Sequence, residues 1–91
     1  MQYKDEKSLH LRKLFGQVVK NIRENQIGLS GNKFANEYGI NDSNLGKIER
    51  AEIDCKFVTF WKIAEALGVK PSEFVKILED ILGDDFTLID E

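Results

Sequence analysis

One cysteine, one histidine and one proline stand in 91 residues, and each scarcity removes a class of protein. A single thiol, Cys55, cannot close an internal disulfide, so this is not a disulfide-stapled secreted scaffold. One Cys and one His (His10), far apart in the chain, fall short of the three or four ligands that a zinc site needs. No apolar run approaches the ~20 residues of a membrane-spanning helix, and the opening MQYKDEKSLHLRK lacks a signal-peptide core. There is no nucleophile–base pair, no glycine-rich loop to cradle phosphate, and room for only one small core. These absences predict a soluble, cytoplasmic domain that is not an enzyme and uses no metal or cofactor.

Basic charge is also scarce overall, since the formal net charge is −3, but its distribution matters more than its sum. Residues 1–70 carry a net +3, whereas residues 71–91 carry a net −6 with Lys76 as their one base. The acidity is therefore confined to the last fifth of the chain. A sequence pI near 5.2 leaves space for a phosphate-binding face elsewhere. A hydrophobic share of 42% is that of a globular chain rather than a disordered one.

The apolar residues that are present recur at helical spacing. Leu11, Leu14, Phe15, Val18 and Ile22 predict an amphipathic first helix over about 8–26, which Gly28 stops. Ser30 caps a short second helix with Phe34, Ala35 and Tyr38 on its apolar face, and Gly39 ends it. Asn41 caps a third helix over about 42–50, whose buried side is Leu45 and Ile48. Phe57, Phe60, Trp61, Ile63, Ala64 and Leu67 define a fourth helix ending at Gly68. Pro71 starts a fifth, to about Leu82, carrying Phe74, Ile77, Leu78 and Ile81. Nothing before residue 83 asks for a strand. The expectation is an all-α domain of five short helices over 8–82, with an N-terminal arm (1–7) and an acidic, partly apolar tail (83–91).

The joint between the second and third helices makes specific demands. Two short helices crossing steeply need a small residue at the crossing (Ala35), a positive-φ residue at the turn (Gly39) and apolar anchors (Phe34, Tyr38, Ile40, Leu45, Ile48). All are present, so residues 30–50 predict a helix-turn-helix unit. With 100° per residue and Leu45 and Ile48 pointing inward, Ser43 and Arg50 point away from the core. Gly46 and Lys47 lie close to that direction, and Asp42 and Asn44 flank it.

On these residues the chain resembles the Cro/repressor-type, or lambda-repressor-like (XRE-family), helix-turn-helix domains. The matching positions are Gly28-Leu29-Ser30, Phe34-Ala35, Gly39-Ile40, Leu45, Ile48-Glu49-Arg50, the run KIAEALGV at 62–69, and Ser72-Glu73-Phe74. The likeness covers about residues 9–78. It implies a five-helix domain that binds operator DNA, usually as a homodimer, and often represses transcription. It further implies base contacts from Asp42, Ser43, Asn44 and Lys47 in the major groove, with Gly31, Asn32, Lys33, Arg50 and Lys56 near the DNA backbone. An Arg of the first helix pairs with the Glu of the third in parts of the family, which here points to Arg23 and Glu49 as a structural ion pair.

Three features depart from that pattern. Gly31 stands where Gln is common, Ala51 where Gly often ends the third helix, and Glu52 and Asp54 where basic or amide groups approach phosphate. The stretch between the first helix and Ser30 is also one residue longer than usual. Carboxylates beside phosphate weaken the salt-dependent part of binding. They support an alternative function, a protein-interaction or antitoxin-like module of the same fold with weakened DNA binding. Among the remaining residues, Phe57, Phe60 and Trp61 are expected to pack in the core and His10 to lie on the surface. Cys55 is expected to be an inert thiol. Phe86, Leu88 and Ile89 give the tail apolar groups with which to dock on the domain or on a second subunit.

Overall fold

The computed structural model describes residues 6–89, and the fold is all-helical, with no strand among them. Five α-helices follow in order: α1 (Glu6–Ile22), α2 (Gly31–Tyr38), α3 (Asp42–Glu49), α4 (Phe57–Ala66) and α5 (Pro71–Leu82). This is the lambda-repressor-like arrangement, in which α2 and α3 pack on each other, α3 packs on α1, and α5 packs on α4. Residues 1–5 of the expected N-terminal arm and residues 90–91 of the tail lie outside the described residues. Glu6 and Lys7 belong to α1 rather than to an arm.

The first helix departs from expectation at its end. Regular α-helix stops at Ile22, and a π-helical turn runs from Arg23 to Ile27 before Gly28. Its last hydrogen bond, from the Gly28 amide to the Arg23 carbonyl at 2.7 Å, spans five residues instead of four. A π turn accommodates one residue more than an α turn. The wider turn lies inside the helix, and only Gly28–Ser30 links it to α2.

Local chemistry sets the remaining boundaries. The Ser30 hydroxyl accepts from the Lys33 amide at 3.2 Å, and the Asn41 side chain accepts from the Asn44 amide at 2.9 Å. Each satisfies one of the backbone donors left over at a helix start. Gly39 takes φ 69° at the turn, a left-handed conformation that costs a side-chain-bearing residue ~1–2 kcal/mol. Pro71 occupies the first turn of α5, where its missing N–H deprives no carbonyl of a partner.

Val19, Phe34, Leu45, Ile63 and Phe74, one from each helix, form the fully buried centre. Phe15, Phe60 and Phe74 pack with centroids 5.2–5.9 Å apart and tie α1, α4 and α5 together. Several residues expected in the core are not there. Tyr38 is exposed and leans one face on Phe34. Phe57 is 71% exposed, Trp61 46% and Ile81 59%. The reason on α4 is arithmetic: eight of the eleven residues from 57 to 67 are apolar, more than one buried stripe can hold. Ile63, Ala64, Ala66 and Leu67 take the inward stripe, leaving Phe57, Val58 and Trp61 outside. In the tail, Phe86 is half-buried with its ring 6.1 Å from that of His10, while Leu88 and Ile89 are exposed.

One close approach between helices was not anticipated from sequence. Gly16, buried in the middle of α1, faces the end of α3, and a Cβ placed there would lie 2.4 Å from the Glu49 carbonyl oxygen and 2.7 Å from that of Ile48. Both obstacles are backbone, so the helices would have to separate. Gly16→Ala is expected to lower stability by ~1–3 kcal/mol through overpacking. That is a fall in Tm of roughly 4–8 °C per kcal/mol for a domain of this size. Thermal unfolding followed by circular dichroism checks this. Helix propensity alone favours alanine by about 1 kcal/mol, so a raised Tm would disprove the close contact.

Candidate nucleic-acid interface

The outward side of α3 and the start of α2 carry the polar residues singled out in the sequence. Asp42, Ser43, Asn44 and Lys47 are all exposed, with Leu45 and Ile48 buried beneath them. Asp42 lies in the first turn of α3, where the helix dipole favours a carboxylate. It is also oriented from α2, because the Asn32 side-chain amide donates to Asp42 Oδ2 at 2.9 Å. Asn36 in turn donates to Asn32 Oδ1 at 3.3 Å. This polar ladder across the two helices had no sequence signal beyond the presence of the three residues. Lys33 and Lys56 are exposed, Lys33 in the first turn of α2 and Lys56 as the N-cap of α4. Gly31 offers only backbone at the start of α2, and a Cβ built on it would lie 3.8 Å from Arg23 Cζ.

Arg23 and Glu49 are brought together. Arg23 Nε donates to Glu49 Oε2 and Nη2 to Oε1, both at 2.8 Å, with the two side chains 6% and 9% exposed. Nη1 donates to the Leu29 carbonyl, also at 2.8 Å. The hydrogen bonds from Arg23 to Glu49 hold the guanidinium firmly in its charged form against the cost of burial. The π-helical turn begins at Arg23 itself, so the wider turn and the ion pair share a residue. One side chain thus joins the end of α1, the Leu29 loop and the end of α3.

The exit from α3 keeps the form that glycine usually provides. Ala51 takes φ 62° and is buried. Its amide bonds to the Ile48 carbonyl at 3.0 Å, and the Glu52 amide bonds to that of Lys47 at 2.8 Å. That pair of bonds is the Schellman closure of a helix. Arg12 adds a bond from Nη1 to the Ala51 carbonyl at 3.0 Å.

Beyond it, Glu52 does not stand alone as a repulsive charge. Arg50 Nε donates to Glu52 Oε2 at 2.7 Å, and this bond pushes the Glu52 carboxyl below the usual carboxylate range. Arg50 and Glu52 therefore form an exposed ion pair whose charges offset each other. Glu79, Asp80 and Asp84 line a polar recess with Lys76 and Phe86.

A comparison with known proteins follows the same outline. The helix-turn-helix family model matches residues 19–74, from the last turn of α1 into α5. The chain belongs to the helix-turn-helix family. Among curated proteins of this kind, it is 33% identical over 66 residues to control protein C.BamHI of Bacillus amyloliquefaciens. That match covers 72% of this chain and 82% of the relative. It is 35% identical over 66 residues to the HTH-type transcriptional regulator SutR of Escherichia coli (strain K12). There the match covers 72% of this chain but 36% of the relative, so the chain spans about a third of that longer protein. No helix among the described residues of this helix-turn-helix protein is long and apolar enough to cross a membrane.

Behind the interface, an apolar groove of about 350 Å³ opens between α1, the loop after α3, α4 and α5. Phe15, Ile53 and Phe60 line it, and the exposed Phe57 and Val75 stand at its wall. Cys55 also lies on it, where burial and then Asp54 push the thiol up to about 11. A thiol with that value is protonated at neutral pH and is a poor nucleophile.

Removing one member of the Arg23–Glu49 pair leaves the other buried and uncompensated. Glu49→Ala is expected to cost roughly 3–5 kcal/mol of unfolding free energy. Chemical denaturation measures it, and an unchanged midpoint would show that the pair contributes nothing to the fold.

Proposed function

We propose that this protein is a sequence-specific, DNA-binding transcriptional regulator that places α3 in the major groove of duplex DNA, as a homodimer and as a repressor. The observation that carries the reading is the division of α3 into two sides. Its inner side is fixed by Leu45, Ile48 and the Glu49 carboxylate, which leaves Ser43, Asn44 and Lys47 projecting outward with Asp42 at the entering end. A rigidly seated helix with polar groups at its N-terminal, outward side is what groove reading requires. Lysine donates to guanine O6 or N7, aspartate accepts from cytosine N4, and Ser and Asn pair with several base edges. Backbone amides at the start of α2, around Gly31 and Asn32, supply phosphate donors where the family's glutamine is missing. Lys33 and Lys56, both exposed, add positive charge for contact with the DNA backbone. The names control protein and transcriptional regulator, carried by relatives, support a regulatory role. The reading includes a cytoplasmic location and no catalytic chemistry.

The deciding measurement is selection from randomised duplex DNA by the full chain at two salt concentrations. An enriched, roughly palindromic site is expected, and no enrichment at low salt would sink the proposal in favour of a protein-interaction module. On that site, Lys47→Ala is expected to lose roughly five- to 150-fold in specific affinity, the range of one good base contact, with helix content unchanged. Full affinity in that variant would remove Lys47 from the reading surface.

The homodimer rests on the second apolar face. Phe57, Val58 and Trp61 of α4 and Val75 of α5 are each 40–71% exposed, and the apolar groove opens beside Phe57 and Val75. Projecting rings next to a groove give one surface both halves of a self-complementary contact, as a two-fold interface demands. A second copy is also the occupant that would set two reading helices about one DNA turn apart. Sedimentation should therefore give a dimer for the parent and a folded monomer for Phe57→Glu. A parent that remains monomeric at micromolar concentration would rule the dimer out.

A further inference from the structure

The course of the Arg50 side chain separates it from an ordinary surface cation. Instead of extending past the end of α3, it folds back one turn toward the helix N-terminus. A Cβ built on Gly46, four residues earlier, would lie 3.0 Å from Arg50 Nη1 and 3.7 Å from Cζ and Nη2. Gly46 is turned away from the core, yet it is half-buried, and the guanidinium is what lies over it. A second contact fixes the other edge of the group. Nε donates to Glu52 Oε2 at 2.7 Å, and Nη2 approaches Oε1 at 3.5 Å.

A guanidinium has five N–H donors in a planar fork. Glu52 takes the edge made by Nε and one hydrogen of Nη2. The opposite edge, made by Nη1 and the second hydrogen of Nη2, remains. That edge is the one that pairs with O6 and N7 of a guanine. We propose that Arg50 reads a guanine in the major groove, with Glu52 as the residue that positions it and Gly46 as the space through which it lies. This deepens the DNA-reading function argued above and rests on it.

Two physical comparisons favour a base over a phosphate as the target. First, the pair is not there for stability: its side chains are 61% and 51% exposed, and ion pairs in such settings contribute little. Second, the carboxylate has opposite consequences for the two targets. Beside an anionic phosphate it repels the ligand and cancels the charge that would attract it. Beside the neutral edge of a guanine there is no such repulsion, and holding the fork in one orientation reduces the entropy lost on binding. Glu52 is thus a cost to a phosphate contact and an aid to a base contact. Lysine in the same place would carry the charge without the fork.

The test uses the full chain and the DNA site enriched by the parent, with affinities measured on that site and its single-base variants. The parent site should hold a guanine whose replacement by 7-deazaguanine, which lacks the N7 acceptor, weakens binding by roughly five- to 150-fold. Arg50→Lys should abolish the preference at that one position and leave preferences elsewhere intact. Glu52→Gln should reduce the same preference. Gly46→Ala should do likewise by displacing the guanidinium, while helix content is kept. The assignment is overturned if Arg50→Lys or Glu52→Gln changes affinity uniformly across sequences, the behaviour of a phosphate contact. If Glu52 is only repulsive, Glu52→Gln tightens binding to every sequence, which likewise overturns it. A parent that enriches no site overturns the DNA-reading function itself. A parent that enriches a site, with every preference intact in Arg50→Lys, overturns only the role of Arg50.

Discussion

The contact between the middle of α1 and the end of α3 sets the position of every outward side chain on α3. Two kinds of force meet there. Gly16 lets backbone come against backbone, so the helices approach as closely as main chains allow. The bidentate Arg23–Glu49 pair then fixes rotation, since a planar fork matched to a carboxylate tolerates little turning about the helix axis. Dispersion at close range gives distance, and directional hydrogen bonding gives angle. A helix of eight residues has little stability of its own, so both must come from outside it.

How far the sequence revealed this depends on whether a feature is periodic. Helix positions, the caps at Ser30 and Asn41, the turn at Gly39 and the buried Leu45 and Ile48 were legible, because spacing and local chemistry carry them. Gly16 was not, because a glycine inside an amphipathic pattern reads as a mere defect until the neighbouring helix is known. Phe57 and Trp61 misled for a related reason. Periodicity says that apolar residues share a face, but the number of faces a helix buries is decided by its neighbours, and among the described residues nothing covers Phe57, Val58 and Trp61 of α4.

The outer surface of α3 was legible in outline and not in its pairings. That Asp42, Ser43, Asn44 and Lys47 lie outward follows from a 100° step. That Asn32 steers Asp42 and that Glu52 steers Arg50 depends on rotamers and on the exit from α3, where a buried alanine takes the left-handed conformation. Counting charges along the chain treats Glu52 as an opponent of Arg50's function. Placing them 2.7 Å apart makes it a means of directing one donor edge.

The π-helical turn at Arg23–Ile27 has a consequence for how such chains are compared. An added residue is usually looked for in a loop, where an alignment would open its gap. Here the Arg23–Ile27 segment is π-helical, so one turn of the helix holds a residue more than a regular α turn before the Gly28–Ser30 link begins. Beside a chain with a regular α turn at this place, a gap drawn in the loop would match the wrong residue of α1 with the partner of Glu49. The ion pair with Glu49 then marks the residue of α1 that corresponds to Arg23, wherever the gap is drawn.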